Sequence, residues 1–161
     1  MFKPKAYLLL ALSLLVTSSA ALAAPLASSY KAIANITTLG RGTNSCPEGQ
    51  IPVATSGNGM DLFGKFTLTE EFCANPTTGA FNGHFEDSHG VDGSYCGDFT
   101  GTFLPSGEML EVHATWRITH GSGAFEHAFG AGTAKGIATV VDGGPGPGTI
   151  VLDGSILIAS S

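Results

Sequence analysis

Three stretches of the chain alternate apolar and polar residues with a period of two. Phe66, Leu68, Glu70 and Phe72 interleave with Lys65, Thr67, Thr69 and Glu71; Tyr95, Gly97, Phe99, Gly101 and Phe103 interleave with Cys96, Asp98, Thr100 and Thr102; Leu110, Val112, Ala114, Trp116 and Ile118 interleave with Glu111, His113, Thr115, Arg117 and Thr119. This is the signature of half-buried strands, whose side chains point in turn to core and solvent. The run from Trp116 to Thr133 reads as strand, glycine turn and a second strand of small residues. No window carries a helical stripe. Asn75 to Gly79, Val91 to Gly93 and Pro105 to Gly107 are turn chemistry. The Gly/Pro-rich stretch from Asp142 to Gly148 is predicted as a loop before a strand from Thr149 to Ile158. Strands in succession with short turns between them predict an all-β antiparallel meander.

Many short strands, frequent turns and 23 glycines suggest a closed barrel or a sandwich, because closure removes exposed strand edges. Aromatic residues recur at every fourth position, as in Phe81 with Phe85 and Phe99 with Phe103, with glycines between them on the same face. That spacing fits a tapered barrel interior, in which glycine lets strands coil where a side chain would collide. The predicted interior aromatic face, and hence the predicted ligand lining, is Phe66, Phe81, Phe85, Tyr95, Phe99, Phe103 and Trp116. An outer-membrane barrel needs strands of about 9 to 11 residues with an apolar outer band. Here the outward set is Thr, Glu, Lys, Asn and His.

Residues 1–23 form a separate unit: a basic head at Lys3 and Lys5, an apolar run of eleven residues from Ala6 to Val16, and Ala21-Leu22-Ala23 as a small-residue cleavage site. This reads as a secretory signal, since a membrane span needs about 20 apolar residues. The mature chain, residues 24–161, is then an exported single domain with no membrane span, periplasmic or secreted. Loss of the signal moves the formal charge from −6 to −8 and leaves Lys31, Arg41, Lys65, Arg117 and Lys135 scattered singly. Nucleic acid is excluded as a partner, because phosphate neutralisation needs clustered Lys and Arg.

An exported chain with three cysteines, Cys46, Cys73 and Cys96, favours one disulfide and one leftover thiol. In a meander Cys73 and Cys96 fall two strands apart, roughly 10 Å, too far to bridge. Cys46 with Cys73 is therefore ahead, although the sequence does not settle the pairing. No basic residue or His adjoins any of the three in sequence to activate a thiolate.

The run Ile118-Thr119-His120-Gly121-Ser122-Gly123-Ala124-Phe125 with Gly130-Ala131-Gly132-Thr133 downstream, Thr38-Leu39-Gly40-Arg41-Gly42-Thr43 upstream, and Asp98-Phe99-Thr100-Gly101-Thr102-Phe103 between resembles the allene oxide cyclase barrel-like group of small exported bacterial proteins. The resemblance covers roughly residues 30 to 158 and implies an eight-stranded antiparallel barrel related to the calycin and dirigent types. His120 stands where that group usually has a glycine, and Glu126-His127 where small residues are common. The polar constellation of the plant cyclases is not recognisable in this chain, so no catalytic residue and no cyclase activity is carried over.

Polar residues on the apolar face are the place to look for chemistry, since desolvation raises a carboxyl's pKa and lowers a histidine's. By parity these are Glu70, on the face of Phe66, Leu68 and Phe72, and His127, on the face of Phe125 and Phe129. With Tyr95 and Tyr30 they would line one barrel mouth as acid, base and hydroxyl. The competing account leaves Glu70 at a strand end in water and His127 in a loop, and the ease with which strand-end registers slip favours it. His84 and Glu86 share a strand face, but no paired-ligand motif accompanies them, so neither a metal nor any other cofactor is implied. His120-Gly121-Ser122-Gly123 lacks the strand-to-helix setting of a nucleophile elbow. Two functions remain: a barrel that holds a small hydrophobic ligand or serves a structural or interaction role, and an isomerase or cyclase acting on such a ligand through Glu70 and His127.

Overall fold

A computed structural model describes residues 27–141 and 144–159; the predicted signal, residues 1–23, lies outside them. The chain forms eight strands in succession: β1 (Ser28–Arg41), β2 (Ile51–Asp61), β3 (Gly64–Ala74), β4 (Ala80–Ser88), β5 (Ser94–Ser106), β6 (Met109–Gly121), β7 (Ala128–Val141) and β8 (Gly144–Ile158). Each pairs antiparallel with the next, and β1 closes on β8 from Ser28 opposite Ile156 to Ile36 opposite Gly148, giving a closed meander barrel. The alternation seen in sequence is the inside-outside alternation of this wall: Phe66, Leu68 and Phe72 are buried while Lys65, Thr67 and Thr69 face solvent.

Closure depends on pairing large with small residues across neighbouring strands. At Gly97 an added Cβ would lie 2.5 Å from the Phe85 ring and 2.0 Å from the Arg117 carbonyl oxygen. On the opposite wall the Trp116 ring rests on Gly132 and Gly154, each of whose absent Cβ would fall 2.8 Å from it. The indole Nε1 donates to the Thr133 carbonyl at 3.1 Å. Phe85 on β4 and Trp116 on β6 thus rest on glycines supplied by β5, β7 and β8.

The two barrel ends are built differently. At one, the β2–β3 turn and two short 3-10 turns, Gly90–Asp92 and Gly123–Phe125, fold Phe63, His89 and Phe125 inward. At the other, the long β1–β2 connection is tied outward by a disulfide between Cys46 and Cys73, the pairing favoured from sequence. Cys96 is free and half-buried on the outer face.

The predicted loop at 142–148 is corrected in part: Gly144 to Gly148 open β8. β1 pairs with β8 only as far as Gly148, so this segment is an edge on that side, where a strand tolerates proline. Pro145 still pairs with Val140 of β7.

Candidate functional site

Inside the wall lies a cavity of ≈ 80 Å³, several times the roughly 10–15 Å³ that one water needs by the same measure. It is sized for one ring or a short branched chain. Phe72, Phe81, Phe99 and Phe103 form its upper wall, with ring centroids 4.4 Å apart for Phe81–Phe103 and 5.9 Å for Phe81–Phe99. Trp116, Phe85 and Leu68 line it lower down. Where β1 and β8 part company, Thr38, Pro145 and Gly146 border both the cavity and a cleft on the outer surface. The Thr38 hydroxyl donates to the Pro145 carbonyl at 2.7 Å across that gap. Apolar side chains at this end, Leu39, Ile51, Leu104, Val140 and Val141, are exposed.

The cavity floor is acidic. Glu70 and Asp87 both line it. The register sets Glu70 opposite Phe85 and Asp87 two residues further along β4, a diagonal pair whose Cβ atoms such a ladder holds about 7–8 Å apart. The Thr55 hydroxyl donates to Glu70 Oε2 at 2.5 Å. Burial pushes the Glu70 carboxyl above its ordinary range, and that hydrogen bond opposes the shift. Asp87 is only 2% exposed, and its Oδ1 has no hydrogen-bond partner among the described residues. Burial raises its carboxyl to about 8; the Tyr95 hydroxyl works against this, and the charges of Glu70, Asp61 and Glu86 add to it.

Below the floor the barrel is filled. The Tyr30 and Tyr95 hydroxyls meet at 2.7 Å and approach Asp61 Oδ2 at 3.3 and 3.2 Å. Two protons serve three contacts, so one hydroxyl donates to the other and the second to Asp61. Asp61 Oδ1 accepts from the Phe63 amide at 2.8 Å. His89 Nε2 lies 3.6 Å from Asp61 Oδ2, and its ring packs on Phe125 at 4.7 Å. Burial raises both tyrosine hydroxyls far above their normal range, so they act as neutral donors.

Of the residues predicted from sequence, Phe81, Phe85, Phe99, Phe103 and Trp116 line the cavity together with Glu70. Phe66 and Tyr95 point inward but belong to the filled end, where His89 packs against both rings at 5.7 Å. The pairing of Glu70 with His127 is corrected: Glu70 lies inside the wall rather than at a strand end in water, while His127 stays in a loop as the favoured account has it. It is exposed in the turn before β7, and Phe129 points outward, 62% exposed, so the face shared by Phe125, His127 and Phe129 does not form. The short 3-10 turn breaks the strand periodicity on which that parity rested. The carboxyl that lines the cavity with Glu70 is Asp87 of β4. Parity from Phe81 and Phe85 would have found it. Asp61 and Thr55 share the phase of Val53 on β2, while His89 sits in a turn and left no sequence signal.

On the outer face, His84 Nδ1 meets Asp98 Oδ1 at 2.7 Å and Arg117 Nη2 donates to Asp98 Oδ2 at 2.7 Å. Arg117, with His84, holds the Asp98 carboxyl below its ordinary range. Exposed ion pairs of this kind contribute little to stability. Burial raises the Cys96 thiol above its ordinary range, as do the charges of Glu86 and Asp87, which disfavours a reactive thiolate. Among the described residues no helix is long and apolar enough to cross a membrane, and no three potential metal ligands cluster. Set against known proteins, the chain matches no family model, no curated protein and no solved structure.

Proposed function

We propose that the protein is an exported barrel that binds a small, largely apolar molecule in its interior. The observation that carries this is a ring-lined cavity open at one end of an otherwise packed barrel, the setting in which small-molecule sites occur. The apolar rim and the cleft between β1 and β8 supply an access route. Export is supported by the signal-like residues 1–23 together with the Cys46–Cys73 bond, which an oxidising compartment maintains. The meander of eight strands is consistent with the allene oxide cyclase-like resemblance, on which the proposal does not depend.

Trp116 is the only tryptophan of the chain and lines the cavity, so its emission reports occupancy. Titration with toluene or 2-phenylethanol should give a saturable change in Trp116 emission. An emission that stays flat up to the solubility limit of both compounds would remove the reading. Export predicts a mature mass beginning at Ala24 and two hydrogens light.

A second reading, acid/base chemistry in the same cavity, is favoured by one observation: Glu70 and Asp87 both line it with carboxyls raised above their ordinary range, Asp87 to about 8, as a general acid requires. It takes the place of the Glu70–His127 pair. Turnover of a bound ligand that vanishes in Asp87→Asn while binding persists would establish it.

A further inference from the structure

We propose that the floor of the cavity recognises the amino group of a small apolar amine, whose ammonium sits between the Asp87 and Glu70 carboxyls while its hydrocarbon body occupies the ring-lined shaft. The inference rests on the barrel being a pocket for a small hydrophobic molecule, and adds the chemistry of that molecule's polar end.

Three features argue for it. The first is the charge inside the barrel. Asp61, Glu70 and Asp87 face inward, whereas every Lys and Arg among the described residues, Lys31, Arg41, Lys65, Arg117 and Lys135, is exposed. A carboxylate or phosphate head would find no Lys or Arg there and, once Asp87 loses its proton, like charge, a juxtaposition that excludes partners. The second is the accounting of hydrogen bonds. Asp61 accepts from one of the two tyrosine hydroxyls and from the Phe63 amide, and Glu70 accepts from Thr55. Asp87 borders the cavity with an unpartnered Oδ1 at 2% exposure, and a buried acceptor without a donor is costly. An ammonium brings three donors to this place. The third is geometry. The diagonal placement of Glu70 and Asp87 lets both carboxyls converge on one nitrogen, with Phe85 between them in the ladder and Trp116 in the lining, and aromatic faces attract cations.

The site carries its own pH dependence. The groups around Asp87 are Glu70 from β3, Tyr95 from β5, Tyr30 from β1, Asp61 at the end of β2 and Glu86 beside it on β4, with His89 behind Asp61. None of the neighbours other than His89 can become a cation. Asp87 therefore keeps its proton up to about pH 8, and an ammonium displaces that proton when it binds. Affinity for the amine rises by up to about tenfold per pH unit toward pH 8, then levels off until the amine itself deprotonates.

The test compares 2-phenylethylamine, 2-phenylethanol and 3-phenylpropanoate by calorimetry and Trp116 emission at pH 6 and pH 8, in wild type, Asp87→Asn and Glu70→Gln. The expected order at pH 8 is amine at least tenfold tighter than alcohol, and alcohol tighter than carboxylate. About one proton should be released per amine bound at pH 6, read from two buffers of different ionisation heat. Asp87→Asn should cut the amine preference at least tenfold while the alcohol still binds, which shows the variant folded and its pocket intact. Alcohol binding without amine preference would overturn the inference and leave the pocket standing. Failure of all three to bind would overturn the pocket itself. A carboxylate that binds as tightly as the amine would contradict the charge argument.

Discussion

The two ends of the barrel use the same inward-facing pattern to opposite effect. At the filled end the polar atoms of Tyr30, Asp61 and Tyr95 satisfy one another, and Phe63, Phe66, His89 and Phe125 close over them. At the open end Phe72, Phe81, Phe99 and Phe103 pack edge to edge around the wall and leave the axis free. What differs is the connections. Short hairpins with 3-10 turns carry rings into one end, whereas the β1–β2 connection is pulled by Cys46 onto the outside of β3 at the other. The filled end is not fully satisfied, since both His89 ring nitrogens lack a hydrogen-bond partner among the described residues, but only at the open end does an unpartnered carboxyl, Asp87, border a cavity.

That contrast predicts unequal responses to the same truncation. Phe125→Ala, 3% exposed in the wild type, should destabilise by about 3–5 kcal/mol, whereas Phe103→Ala, half-buried and already facing the cavity, should cost under about 2 kcal/mol. Chemical denaturation of both variants measures it, and equal losses would erase the distinction between the ends. Replacing Cys46 and Cys73 together by Ala opens a loop with a sequence separation of 27, worth about 3.5 kcal/mol by loop entropy. Hydrogen exchange should then quicken around the β1–β2 connection while the amides near Tyr30 and Tyr95 keep their protection.

Asp87 gives the sharpest pH signal. Its carboxyl titrates near 8 in the folded protein against 3.8 as its ordinary value, so between those pH values the folded state binds the extra proton. Stability should fall as pH rises through that window, by up to about 1.4 kcal/mol per unit, and level off above it. Asp87→Asn should match the wild type near pH 4, exceed it at pH 8 and lack this slope. The smallest effect is expected from Tyr30→Phe, at about 1 kcal/mol, because Tyr95 still donates to Asp61; its thermal midpoint relative to wild type measures the loss.

Much of the fold was legible because strand parity is a strict signal. Phe66 to Phe72, Tyr95 to Phe103 and Leu110 to Ile118 mark β3, β5 and β6 directly, and the aromatic/glycine interleaving marks closure. The site was legible only where a strand continued. Glu70 lies mid-strand, in phase with Phe66, Leu68 and Phe72 and against the favoured strand-end account; Asp87 follows Phe81 and Phe85 in phase near the end of β4. His127 lies in a turn, as the favoured account had it, because a 3-10 turn interrupts the alternation, and His89 reaches the core from a turn that no periodicity describes. The proline-bearing start of β8 was hidden because local composition says turn, while the pairing that holds it comes from β7, with the β1 side left as an edge.

Under the proposed division of the barrel, the open end receives an apolar molecule while the filled end is structure alone. That division is tested most directly by mapping amide and aromatic side-chain NMR shifts on titration with toluene. The predicted result is saturable shifts confined to the cavity, at Phe72, Phe81, Phe99, Phe103 and Trp116, with Tyr30, Asp61 and Phe125 unmoved. Shifts centred on Tyr30 and Tyr95, or spread over the outer face alone, would contradict it.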